Sequence, residues 1–125
     1  MIEVNVINKT RSLDKPLRVK NCDTFLCRFR GLMFRNELDL EDGLLLIQKG
    51  ENRSNAAIHM FFVGMDLGVI WLNNARTIVD MQVAESWKPL YTPRYPARYV
   101  LEINPDRMTE FKIGDQLTFE ENNPL

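Results

Sequence analysis

Histidine occurs once in this sequence, at His59, and cysteine twice, at Cys22 and Cys27. So few nitrogen and sulfur donors leave a zinc-type centre short of ligands, and neither a metal nor another cofactor is expected. No G-x-S-x-G elbow occurs, and no G-x-x-x-x-G-K-[ST] or G-x-G-x-x-G, so no nucleophile elbow or phosphate loop is signalled. No apolar run approaches the ~20 residues of a membrane helix. The N-terminal MIEVNVINKT shows no basic start with an apolar core behind it, so a cytoplasmic protein with no membrane partner is expected. An excess of one charge is also missing. There are 16 basic and 17 acidic residues, a net charge of -1, and nothing global draws the chain to nucleic acid. Cys22 and Cys27 are expected as free thiols in a reducing compartment. Linkers, repeats and low-complexity stretches are absent, so residues 1–125 read as a single domain.

Apolar and β-branched residues in alternation fill much of what remains. Ile2, Val4 and Val6 share one face of a strand over 2–7, because successive side chains point to opposite sides. Strands follow at 17–20, 44–48, 56–63, 69–72, 77–84, 98–103 and 116–120, with NNAR at 73–76 as a hairpin turn. Residues 23–31 break the pattern: Asp23 as cap, Phe25, Leu26 and Phe29 at helical spacing, and Gly31 as stop predict one short helix. Leu32, Met33 and Phe34 then plug the core. Asn104 followed by Pro105 predicts one or two helical turns. Pro89, Pro93 and Pro96 make 85–97 an extended loop. The expected fold class is mostly β: a compact antiparallel β-sandwich or barrel with one short helix near residues 23–31.

Three stretches can carry chemistry. In IHMFFVGMDLGVIWL (58–72), His59 sits in a strand apolar on both sides, as a core imidazole or as a polar point lining a pocket. In RYVLEI (98–103), Arg98, Val100 and Glu102 share a face: on an open face Arg98 and Glu102 form a solvated pair worth little, and on a covered one Glu102 needs a cation, Arg28 or Arg98. In ESWKPLYTPRYPARY (85–99), Trp87, Tyr91, Tyr95 and Tyr99 alternate with Lys88, Arg94 and Arg98, a composition that stacks sugars and holds anions, or simply stiffens a flap.

RFRGLMFR (28–35), EDGLLL with Gly43, HMFFV (59–63), VIWL (69–72), PARYVLEI (96–103) and KIGDQLTF (112–119) occur in this order. In that order they resemble the prokaryotic Domain of Unknown Function family 192 over roughly residues 12–120. The resemblance implies a sandwich or barrel of jelly-roll type, with the helix carrying Arg28, Gly31, Leu32 and Met33. It implies no activity. Members often carry tryptophan at the position of His59, and a leucine–aspartate pair where this chain has Leu67–Gly68, with Asp66 close by.

Three functions follow as expectations. The foremost is a module for a small polar ligand or glycan, with Arg28, Trp87, Tyr91, Tyr95 and Arg98 as binding residues. The others are a domain that binds a protein partner, and an enzyme using His59, Glu102 or Asp66 as acid or base.

Overall fold

A computed structural model describes residues 2–121. Its strands are β1 (Glu3–Asn8), β2 (Arg18–Cys22), β3 (Asp42–Asn52), β4 (Leu67–Leu72), β5 (Ile78–Ala84), β6 (Ala97–Ile103) and β7 (Leu117–Glu121), with helix α1 (Phe25–Arg30) after β2 and a 3₁₀ helix (Pro105–Glu110) after β6. The chain is mostly β, as its alternation implied. The seven strands form one sheet in the order β5-β4-β6-β3-β2-β1-β7. It is mixed rather than antiparallel, because β2 and β3 run parallel while every other neighbouring pair is antiparallel. Parallel neighbours need a crossover, and α1 with the loop after it supplies one. This pairing does not establish a jelly roll.

The sheet curls until its edges meet at one end. Thr77 bridges Gln116, Ile78 N–H donates to Asp115 O at 2.9 Å, and Leu117 N–H donates to Arg76 O at 3.0 Å. Inside the curl lie Val4, Val19, Leu45, Ile70, Leu101 and Leu117. The opposite face of the central strands carries Leu44, Leu46, Val69, Trp71 and Val100, and is covered by Leu32, Leu38, Ile58, Met60 and Val63. Trp71 satisfies its indole N–H on Ala56 O at 2.8 Å. The central strands are therefore buried on both faces, which explains their nearly continuous apolar runs.

Several local expectations change. Cys22 and Cys27 form a disulfide across a Cα–Cα distance of 5.5 Å, because the tight entry into α1 returns the chain to the end of β2. Thr24, not Asp23, caps α1, its side chain accepting from Cys27 N–H. Gly31 ends the helix at φ 48, a left-handed conformation that glycine adopts without a Cβ clash. None of the six α1 side chains is buried, so Phe25, Leu26 and Phe29 do not face the core. Leu32 does enter the core, but Phe34 lies on the surface. Residues 56–63 are not a strand. Ile58–Tyr91 is their one bridge, with backbone hydrogen bonds between Met60 and residues 87 and 88 beside it, and Phe62 turns the chain at φ 61. Asn104 caps the 3₁₀ helix by accepting from Asp106 N–H, as its sequence suggested. No helix of the described residues is long and apolar enough to cross a membrane.

Candidate functional site

Beneath α1, on the covered sheet face, lies a cavity of about 460 Å³. That volume suits a small-molecule ligand. Strand parity decides its floor. Glu102 on β6 points to this face with Val100 and Arg98, flanked across the ladder by Leu44 of β3 and Val69 of β4. Gln48, Leu46 and Leu67 line the cavity beside it, and Phe25 and Phe29 of α1 stand at the rim.

Glu102 is 4% exposed, and its Oε1 has no hydrogen-bond partner among the described residues. Gly31 is the near wall: a Cβ there would sit 3.7 Å from Oε1. Burial away from water disfavours the carboxylate and pushes the Glu102 carboxyl up to about 7 from its ordinary 4.5. The expected cation is not supplied. Arg28 also lines the cavity, but its guanidinium donates to Asp23 O at 2.6 Å and Ile47 O at 3.2 Å, pinning α1 to β3. Arg98 donates to Gln48 O at 3.0 Å and lies over the Tyr99 ring.

His59 enters the same cavity from the loop between β3 and β4. Its Nε2 lies 2.8 Å from Phe29 O. A carbonyl only accepts, so Nε2 donates, and Nδ1 of the neutral ring is left as an acceptor. That Nδ1 is buried without a partner among the described residues. The ring packs against Phe29 and Phe61, with centroids at 5.2 and 5.7 Å.

Of the residues singled out from sequence, then, His59, Glu102 and Arg28 line one cavity. Asp66 lies outside it, exposed, its carboxylate accepting from Ser86 N–H. Trp87 packs on Phe62, which packs on Phe34, a second cluster of exposed rings. Tyr91 is half-buried, bridging to Ile58 and accepting Glu85 N–H at its hydroxyl, while Tyr95 is exposed. Sequence reasoning missed Gln48, Arg30, Lys49, Phe25 and Phe29 as cavity residues. The available signal was Phe25 and Phe29 flanking Arg28 on a helix too short to need an apolar seam. Among the described residues no group of three or more histidine, cysteine, aspartate or glutamate side chains is placed to hold a metal ion.

The profile of the family DUF192, described as Uncharacterized ACR, matches residues 6–119. The chain belongs to the DUF192 family. A UPF0127 protein of Thermococcus kodakarensis is 40% identical over 116 residues, covering 91% of this chain and 72% of that one. A UPF0127 protein of Pyrococcus furiosus is 33% identical over 115 residues, covering 90% and 95%. Two crystal structures share the DUF192 chain's fold. One is a protein of unknown function from Novosphingobium aromaticivorans, with a TM-score of 0.81, 23% identity and coverage of 93% and 83%. The other, from Sinorhizobium meliloti, is provisionally described as a transcription regulator, with a TM-score of 0.80, 20% identity and coverage of 94% and 92%. At these identities the likeness concerns fold alone.

Proposed function

We propose that this DUF192 protein binds a small polar molecule in the cavity beneath α1. One observation carries the reading: a buried carboxyl, Glu102, reaches the floor of a ligand-sized cavity without a hydrogen-bond donor of its own. An unsatisfied buried polar group costs about 1–3 kcal/mol, which a donor on a ligand recovers. Phe25 and Phe29, 72% and 56% exposed, offer ring faces at the mouth. Sugars, nucleotides, organic acids and amino acids are the classes to screen by thermal shift. A ligand at ~100 times its Kd stabilises by roughly 2.7 kcal/mol. Glu102→Gln and Phe29→Ala should each lose most of the shift. A panel without any hit, or a hit untouched by both substitutions, rejects the reading.

A second reading, a protein-binding face, draws on a different observation. Phe34, Phe62 and Trp87 hold φ values of 66, 61 and 69, pack their rings at tilted angles and remain exposed. Left-handed backbone is costly for bulky side chains and clusters at functional surfaces. Replacing Phe62 and Trp87 by alanine should leave the fold intact and remove any partner captured by this face. A partner retained by the double variant ends this reading.

A further inference from the structure

The cavity beneath α1 sorts its polar groups by exposure. Glu102 Oε1 on the sheet side and His59 Nδ1 on the loop side are buried acceptors without donors among the described residues. At the mouth stand Arg30 and Lys49, both exposed, and neither side chain makes a hydrogen bond or ion pair to any described residue. Glu102 is the one acidic side chain lining the cavity. Leu46, Ile58, Val63 and Leu67 supply apolar wall, interrupted by Gln48, Asn55 and the half-buried Arg28.

Each simple ligand class leaves one of these sets incompletely matched. A plain anion satisfies the mouth and strands the two acceptors below. A neutral sugar supplies donors to the floor and hydroxyl acceptors to the cations, but leaves their charge uncompensated. A plain amine suits Glu102 but passes Arg30 and Lys49 on its way in. We infer that the ligand is a zwitterion, with an ammonium group inward at Glu102 and His59 and a carboxylate or similar anion outward at Arg30 and Lys49, joined by an apolar body. Amino acids whose ammonium and carboxylate stand at opposite ends of an aliphatic chain are the simplest molecules of this class; α-amino acids carry both groups on one carbon and do not span the cavity. Charge-assisted hydrogen bonds at both ends fix the orientation. Oε1 lies under Gly31, so the wall that yields on entry is α1, which buries none of its side chains. This inference rests on the ligand-pocket reading above and names what the pocket takes.

The test is calorimetric titration of the intact chain, after a thermal-shift screen of ω-amino acids with about three to six methylenes between the charged groups, of the common α-amino acids, and of glucose and N-acetylglucosamine. The best amino acid is compared with its N-acetyl derivative, which lacks the ammonium, and with its amide, which lacks the carboxylate. Each blocked form should bind at least about tenfold more weakly, as expected for the loss of a charge-assisted pair. Glu102→Gln should remove the preference over the N-acetyl form, and Lys49→Ala the preference over the amide. Lys49 is on the surface, so that variant folds whatever becomes of the Glu102 substitution. If a sugar binds in a Glu102-dependent way and no amino acid does, the zwitterion is wrong and the pocket stands. Equal binding of the blocked forms also overturns the zwitterion. If neither class binds, the zwitterion fails, and the pocket reading is then decided by the remaining nucleotides and organic acids.

Discussion

Glu102 makes the stability of this chain depend on pH in an unusual direction for a carboxylic acid. In the folded chain its carboxyl titrates at about 7, against an ordinary 4.5. The folded state therefore holds a proton that the unfolded state has already released. Stability is fully present below 4.5, falls as pH rises towards 7, and is lowest above that. A shift of this size corresponds to about 3 kcal/mol at its limit. Glu102→Gln keeps the shape without the charge. Urea unfolding should find the variant matching the parent in acid and exceeding it by up to about 3 kcal/mol in mild alkali. A difference independent of pH would mean that Glu102 is not desolvated. At this scale the sequence was partly legible. Alternation put Glu102 on one face with Arg98 and Val100 and opposite Leu101, but left open whether that face was solvated or covered. The missing cation was not legible, because Arg28 is captured by the carbonyl of Ile47, a backbone group with no residue-type signature.

α1 is attached mainly by its connections, with Cys27 as its contribution to the packing against the core. Its six side chains stay unburied, and it is held by the Cys22–Cys27 bridge, by Arg28 on Ile47 O and by His59 on Phe29 O. Closing so short a loop stabilises by at most about 2 kcal/mol on the chain-entropy account. Replacing both cysteines by serine should lower global stability by that amount or less, and should speed amide exchange through residues 24–31 far more than in β3, β4 or β6. Uniform acceleration throughout the molecule would show that α1 is part of the cooperative core. Apolar residues at 25, 26 and 29 have the spacing of a core-facing stripe, and that spacing misleads here because six residues make less than two turns. β3 shows the opposite case. Gly43 lies where a Cβ would come 2.7 Å from Glu102 O and 2.8 Å from Val19 Cγ1. Gly43→Ala should cost about 1–3 kcal/mol through overpacking, read as a lower urea midpoint with unchanged slope. A glycine before an apolar run looks like a turn in sequence; the close approach of three strands that requires it does not show there.

For the whole molecule the decisive feature is the seam where the curled sheet meets itself. Most strand positions could be read from alternation, 56–63 excepted, but strand order could not. The β2–β3 parallel pair and the return of β7 to β1 join residues far apart in the chain, and local periodicity carries no trace of them. The seam is tied at Asp115, 1% exposed, which takes Nε and Nη2 of Arg11, Nδ2 of Asn8 and the N–H of Lys112, while its own carbonyl accepts from Ile78. The Arg11 hydrogen bond, opposed by burial and helped by Asn8, holds the Asp115 carboxyl down to about 2 from an ordinary 3.8. Here the unfolded state binds the proton first. The contribution is present above 3.8 and disappears as pH falls through about 2, the reverse of Glu102. Asp115→Asn should cost about 2 kcal/mol at neutral pH, since a neutral amide cannot serve as the acceptor for a guanidinium fork and two further donors at once. Acid titration of thermal stability should then show a flatter fall below 3.8 in the variant than in the parent. An equally steep fall would move the acid lability to other carboxylates and leave the seam held by its backbone hydrogen bonds alone.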